Sequence, residues 1–256
     1  MIKAENVVKS FADITVLKGI STSFEKGKTN LIIGQSGSGK TVFLKCLLGI
    51  FEPTSGKIWY ENQDVSALSK DELQEHRSEI GTVFQGSALF DSMTIFENVK
   101  FPLEMFTKLS QSEMNDRVAE VLSRVNLSHA HQKYPSEISG GMQKRTAIAR
   151  AIVHNPKYLF CDEPNSGLDP QTSGVIDELI HEITVEYNTT TIINTHDMNS
   201  VMEIGEKIIF LKDGFLEWEG TKNDILTANN QHLIDFVYSS KLFKQMRESL
   251  LTKKSQ

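Results

Sequence analysis

The octet Gly34-Gln35-Ser36-Gly37-Ser38-Gly39-Lys40-Thr41 constrains this chain more than any other feature, because it fits G-x-x-x-x-G-K-[ST]. The apolar run Leu31-Ile32-Ile33 leads into it. Phe43, Leu44, Leu47 and Leu48 follow at helical spacing, with Gly49 as a stop. Strand, glycine-rich loop and helix in that order make a phosphate cradle. The glycines let the backbone bend so that successive N–H groups point at phosphate oxygens, and the positive end of the following helix adds to that field. Gly34 through Thr41, with Val42 opening the helix, are the expected nucleotide-binding positions. Lys40 is a point charge for the β- and γ-phosphates, and the Thr41 hydroxyl is a ligand for Mg²⁺. A nucleoside triphosphate with Mg²⁺ is the expected ligand.

The rest of the chain suits an α/β fold. Residues 1–33 read as short strands, with Ile20, Thr22 and Phe24 on one side. Strands are expected at Lys57–Tyr60, Ile80–Phe84, Tyr158–Cys161, Thr190–Asn194, Ile208–Leu211 and Phe215–Glu219, the last two joined by the turn Asp213-Gly214. Gln171–Glu186 reads as a helix. Residues 92–154 look mostly helical, broken at Pro102 and around Tyr134-Pro135, and form an insertion into a mainly parallel sheet.

Tyr158-Leu159-Phe160-Cys161 ends in two acids, Asp162 and Glu163. Asp162 at the end of a strand can hold the Mg²⁺ water shell beside Thr41. Glu163 then falls near the γ-phosphate, where it can orient or deprotonate the attacking water. Upstream, Ser139-Gly140-Gly141 opens a helix rich in Ala and Arg. That is either an ordinary helix N-cap or a second anion-binding terminus. One nucleotide rarely needs two cradles, so the economical functional reading is a sandwich, this cradle closing on the γ-phosphate held by another copy.

With these motifs in order, residues 1–225 resemble the ATP-binding-cassette (ABC) ATPases. The resemblance implies a P-loop NTPase core with an antiparallel β subdomain and an inserted α-helical subdomain, and it makes the cofactors ATP and Mg²⁺. It adds Phe11 as the ring stacked on adenine and Gln85 as a metal- and water-contacting glutamine. It also adds Asp169, in Ser166-Gly167-Leu168-Asp169, as part of a loop crossing a dimer interface, and His196 as a contact to the γ-phosphate. Glu163, His196 and Lys40 would be the catalytic residues. Thr41, Gln85 and Asp162 would hold the metal, and Ser139, Gly140, Gly141 and Asp169 would act in trans. Met142 stands where the family's signature commonly has Gln. From the residues alone, Phe11 is as readily a core side chain, and His196 an ordinary residue after a strand.

The run Val83–Val99, with Gln85-Gly86-Ser87-Ala88-Leu89-Phe90 and Phe96-Glu97-Asn98-Val99, resembles the ATPases of Mla-type bacterial phospholipid transport systems, which work with Mce-domain proteins. Amino-acid and metal-ion importers share part of it. Phe84, Phe90, Phe96, Phe101 and Phe106, with Leu89, Met93, Leu103 and Met105, are partly core and partly a candidate groove for a partner helix. The resemblance therefore implies a homodimer bound to integral membrane permease subunits and accessory subunits, peripheral on the cytoplasmic face of the inner membrane. A non-transport ABC ATPase of the iron–sulfur assembly type, or an importer ATPase for amino acids or other small solutes, is the alternative. A DNA-maintenance ATPase would need a long coiled coil that 256 residues cannot hold.

Composition agrees. With 27 Lys plus Arg against 33 Asp plus Glu, the net charge of −6 argues against nucleic acid as a partner. No apolar run approaches the length of a membrane span, so if the protein works at a membrane another chain must cross it. Cys46 and Cys161 are far apart in apolar surroundings and read as reduced core residues. His129 and His131 read as a solvent-exposed loop. The cassette is expected over residues 1–228, its helical subdomain at about 92–154. Residues 229–256 are expected to be an amphipathic helical extension, with Leu233, Phe236, Val237, Phe243, Met246, Leu250 and Leu251 on one stripe and a basic excess. That stripe packs on its own domain, binds anionic lipid, or docks on a second copy or an accessory subunit; the last is favoured here.

Overall fold

The computed structural model describes residues 1–238. β1 (Ile2–Phe11) and β2 (Ile14–Phe24) form a long hairpin, followed by β3 (Thr29–Ile33) and α1 (Lys40–Leu47). β4 (Ser55–Tyr60), β5 (Gln63–Asp64), α2 (Lys70–Arg77) and β6 (Ile80–Val83) come next. Then come α3 (Ile95–Phe106), α4 (Gln111–Arg124), α5 (Gly140–Ile152), β7 (Tyr158–Asp162), α6 (Pro170–Glu186) and β8 (Thr190–Thr195). The order ends with α7 (Met198–Ile204), β9 (Lys207–Lys212), β10 (Phe215–Gly220), α8 (Lys222–Thr227) and α9 (Gln231–Val237).

One sheet is antiparallel, in the order β2-β1-β4-β5. The other runs β10-β9-β3-β8-β7-β6, parallel except for the antiparallel edge strand β10. β3 is buried along its whole length, as a central parallel strand must be. Its side chains alternate between two cores. Ile32 joins Phe160, Ile192 and Ile209 in the core shared with the antiparallel sheet and α1, where Phe24, Phe43 and Leu47 are fully buried. Leu31 and Ile33 face the other core, with Val99, Ile148, Leu159 and Ile180 from strands and helices on the opposite side. This period of two sets the layers.

Helices α2, α3 and α4 each begin with a reciprocal capping box: Ser69 with Glu72, Thr94 with Glu97, and Ser110 with Glu113. These hydrogen bonds hold all three carboxyls below their ordinary range. The expected break at Pro102 does not occur: Pro102 lies inside α3, which runs on to Phe106. The missing N–H costs one helical bond. Burial of Ile95, Val99, Pro102 and Leu103 on one face keeps the helix together. The turn Asp213-Gly214 has positive φ at both residues, as a tight two-residue hairpin requires. Cys46 and Cys161 are both buried and unpaired. In the tail, Leu233 and Val237 are buried in their own domain's core, and Phe236 packs on Phe210 with ring centroids 5.4 Å apart. Phe243, Met246, Leu250 and Leu251 lie outside the described residues.

Candidate functional site

The carboxyl ends of β3, β8, β7 and β6 lie side by side, and the phosphate loop, His196, Glu163 and, one residue beyond Phe84, Gln85 follow them at the edge of the sheet. Ile33 pairs with Thr195, Cys161 with Ile193, and Val83 with Cys161. The phosphate loop, His196, Glu163 and Gln85 therefore emerge on one crest, where open α/β sheets bind ligands. A cleft of about 660 Å³ opens there, lined by Gln35, Ser36, Gly37, Gly39, Lys40, Thr41, Val42, Gln85, Glu163 and His196, with Val16 and Phe236.

The loop's backbone needs its glycines. Gly37 and Gly39 have φ of 82° and 103°, in the left-handed region. A Cβ on Gly34 would collide with the Leu211 carbonyl. Ser38 is buried, and its Oγ has no hydrogen-bond partner among the described residues. The buried Lys40 ammonium donates to the carbonyls of Gly34 (2.8 Å) and Gln35 (3.2 Å). Burial lowers its pKa, opposed by the charges of Glu163 and Asp162. The Thr41 hydroxyl donates to Asp162 Oδ1 at 3.4 Å, and Asn194 Nδ2 donates to the same oxygen at 3.0 Å. Asn194 was not singled out from sequence, because nothing local links it to Asp162 thirty-two residues away.

Glu163 has φ of 51°, an uncommon conformation for a residue with a Cβ, and its N–H donates to the Asn194 carbonyl at 3.0 Å. His196 Nδ1 lies 2.8 Å from Glu163 Oε2. Gln85 Nε2 donates to Ser166 Oγ at 3.3 Å, and the buried Lys144 ammonium donates to the Gln85 carbonyl. Burial lowers the pKa of Lys144, countered by Cys161 and Glu163. The hydroxyl, carboxylate and amide oxygens of Thr41, Asp162 and Gln85 are hard donors of the kind Mg²⁺ takes.

Ser139, Gly140, Gly141 and Asp169 do not line this cleft. Ser139 is exposed and caps α5, its Oγ accepting from the Met142 N–H at 3.3 Å. Asp169 caps α6 in the same way, accepting from the Thr172 N–H at 3.0 Å. The two helix starts are neighbours: a Cβ on Gly141 would come 2.8 Å from Thr172 Cγ2. Phe11, 41% exposed, meets Phe51 edge-on at 5.3 Å and does not line the cleft. Phe236 does, a residue assigned from sequence only to a tail stripe.

A second hollow, about 370 Å³, lies between α3, β6 and α5. Phe84, Ala88, Phe90, Phe101, Pro102, Met105, Phe106, Arg150 and His154 line it, together with Ile50. Arg150 donates to the carbonyls of Ser87 and Ala88, both at 2.8 Å, and so fixes two consecutive residues of positive φ. Leu89, in contrast, packs against the core.

Comparison with known proteins agrees with this geometry. The ABC transporter family model matches residues 17–166. The chain is 36% identical over 236 residues to a probable ribonucleotide transport ATP-binding protein of Mycobacterium leprae, covering 92% of this chain and 68% of that protein. It is 39% identical over 240 residues to a methionine import ATP-binding protein of Carboxydothermus hydrogenoformans, covering 93% and 70%. Among solved structures, the dimeric ATP-binding cassette MJ0796 in a post-hydrolysis state bound to ADP and Pi superposes with a TM-score of 0.79. The identity is 34%, over 87% of this chain and 99% of that one. The cbiO1 protein of Clostridium perfringens, part of the ABC transporter complex cbiONQ, gives 0.83 at 29% identity, over 96% and 98%. The chain belongs to the ABC transporter family, as an ATP-binding ATPase subunit with that family's α/β fold. Among the described residues no helix is long and apolar enough to cross a membrane.

Proposed function

We propose that two copies of this chain close around two ATP molecules and drive a separate membrane permease whose cargo is phospholipid. The observation that carries the permease is the apolar hollow beside α3. Phe84, Phe90, Met105 and Phe106 stay exposed around it although the chain has two full cores to bury them in. An exposed concave apolar surface with Arg150 and Arg77 in its wall suits a short amphipathic helix. Mce-domain and accessory subunits would complete the assembly, peripheral to the cytoplasmic face of the inner membrane.

In each site Lys40 would leave its two carbonyl partners for the β/γ-phosphate oxygens, and the loop N–H groups and Ser38 would take the rest. Thr41, Asp162 and Gln85 would hold Mg²⁺, which neutralises phosphate charge when bound. Glu163 would orient and deprotonate the attacking water, with His196 fixing its carboxylate and reaching the γ-phosphate. Phe11 would stack on adenine. Ser139, Gly140, Gly141 and Asp169 would act on the partner's nucleotide, which fits their place outside this chain's own cleft. The chemistry is positional and electrostatic.

Phospholipid as cargo rests on the likeness of Val83–Val99 to Mla-type ATPases. Import of a small solute is the second reading, favoured by the 39% identity to a methionine import ATPase. Purification with a co-expressed permease, followed by ATPase assays with phospholipid vesicles or with free amino acids, separates the two. Stimulation by phospholipid alone supports the first reading, and stimulation by a solute alone replaces it. A chain that stays soluble when co-expressed with that permease would remove the transporter reading.

A further inference from the structure

One buried polar cluster lies behind the site and takes no part in the chemistry above. Asp177 is 2% exposed on α6, among the buried Ile176, Ile180 and Ile183. Its Oδ1 accepts from Asn165 Nδ2 at 2.8 Å, and the same nitrogen lies 3.1 Å from Oγ of the buried Ser200. The buried Asn165 Oδ1 has no hydrogen-bond partner among the described residues. A carboxylate on an apolar helix face is costly where an aliphatic side chain would pack, so its bonds must do something that packing cannot.

The three residues belong to three segments. Asn165 is two residues past Glu163, at the head of the loop that runs to Asp169. Ser200 is four residues past His196, in the first turn of α7. Asp177 is anchored in a helix that packs on α7. We propose that Asn165, Asp177 and Ser200 are positioning residues for hydrolysis: Asp177 ties the loop behind Glu163 to the helix behind His196, and so holds Glu163 Oε2 against His196 Nδ1 at 2.8 Å. The proposal rests on the roles given above to Glu163 and His196. Misplacing either by a fraction of the 2.8 Å contact would slow turnover without weakening nucleotide binding.

The cluster can also switch. Burial pushes the Asp177 carboxyl up to about 6, against hydrogen bonds from Ser200 and Asn165 that pull it down, while the acidic Asp197 and Glu203 on the α7 side push it further up. The Cys161 thiol faces it from β7 and is itself raised by burial, with Asp177 adding to the rise. A protonated Asp177 has an O–H to donate, and Asn165 Oδ1, which has no hydrogen-bond partner among the described residues, is an unused acceptor in the cluster. Turning the Asn165 amide to meet it moves Nδ2 away from Ser200 and unties the loop from α7.

Asp177→Asn makes the untied state permanent at nearly constant volume. We expect the purified full-length ATPase, assayed with its permease, to show wild-type ATP affinity. Its kcat should fall roughly tenfold at pH 8, and the deficit should shrink toward parity below pH 6. Ser200→Ala should lower kcat by a smaller factor, again with affinity kept. If kcat of Asp177→Asn equals wild type at pH 8, if its deficit is the same at every pH, or if ATP affinity falls in parallel, the positioning role is overturned. Should that variant fail to fold, Asn165→Ala on the half-buried loop carries the test, and unchanged turnover there overturns it equally. Glu163→Gln run in parallel separates the layers. A live Glu163→Gln removes the catalytic assignment and the positioning role with it, whereas a dead one beside a wild-type-like Asp177→Asn removes the positioning role alone.

Discussion

The phosphate-loop crest and the hollow beside α3 depart from an ordinary protein surface in opposite directions. On the crest, polar and charged groups are buried: Lys40, Lys144, Asn194 and Ser38 are all nearly inaccessible to water. Around the hollow, large apolar groups are exposed: Met105 is 56% exposed, Phe90 41% and Phe84 39%. Each arrangement costs free energy in the isolated chain, the first by desolvating charge and the second by wetting hydrocarbon. The difference teaches where each region expects its missing partner. The crest offers positive charge and N–H groups to an anion. The hollow offers hydrocarbon to hydrocarbon.

The largest effect should come from breaking the crest. Lys40→Ala should lower ATP affinity at least a hundredfold in equilibrium titrations. Glu163→Gln should bind ATP normally, lose at least a hundredfold in turnover, and accumulate as an ATP-bound dimer visible in sedimentation. Near-normal turnover in Glu163→Gln would remove it from the mechanism.

Next comes the exposed helix start at Ser139, proposed above to complete the crest of another copy. Ser139→Arg should leave ATP binding by each chain intact and lower hydrolysis at least tenfold. Mixing it with Lys40→Ala should restore part of the activity, since one composite site per heterodimer is whole. Loss of ATP binding in Ser139→Arg itself would contradict a role in trans.

The hollow should yield a different signature. Met105→Asp places a charge on an already exposed side chain, so the midpoint of thermal unfolding should stay within a few degrees while recovery with the permease falls about tenfold or more. ATP affinity should not change. Leu89→Asp is a control of opposite kind: Leu89 packs on the core, so that variant should lose stability instead. If Met105→Asp also unfolds, the exposed apolar rim is structural.

The last effect lies behind the crest, leaves nucleotide binding untouched and is read in stability. Asp177 titrates at about 6 in the fold against 3.8 in an unfolded chain. The folded state therefore holds this proton to higher pH than the unfolded state. The stability this provides is fully present below about pH 4 and is lost as pH rises through about 6. Two units at 1.36 kcal/mol each bound the loss at about 3 kcal/mol. Asp177→Asn should accordingly gain up to about 3 kcal/mol over wild type in urea unfolding as pH rises from 4 to 7.5, and a constant difference across that range would contradict the burial cost.

Much of this molecule is legible in local sequence. Strand β3, the phosphate loop and helix α1 span nineteen consecutive positions, 29–47, although the Leu211 carbonyl that crowds Gly34 comes from β9 and the Leu17 side chain that crowds Gly39 from β2. The buried strands announce themselves as short apolar runs, and the Asp213-Gly214 hairpin by its turn pair. Three capping boxes are equally legible as Ser69/Glu72, Thr94/Glu97 and Ser110/Glu113, the first of them marking the start of α2. Pro102 misled because helix propensity counts one lost hydrogen bond, whereas the helix is held by the face it buries.

The residue types that do the chemistry were set by sequence alone, because phosphate binding needs glycine, lysine and a hydroxyl at fixed spacing along one backbone. Which residues meet was decided by tertiary structure. Asn194 reaches Asp162, Lys144 reaches Gln85, Phe236 enters the nucleotide cleft, and Asn165, Asp177 and Ser200 join across three segments. The physical reason is the parallel sheet. It brings strand ends separated by tens to more than a hundred residues to one edge, and the partners chosen there depend on register and helix packing, which no local pattern encodes.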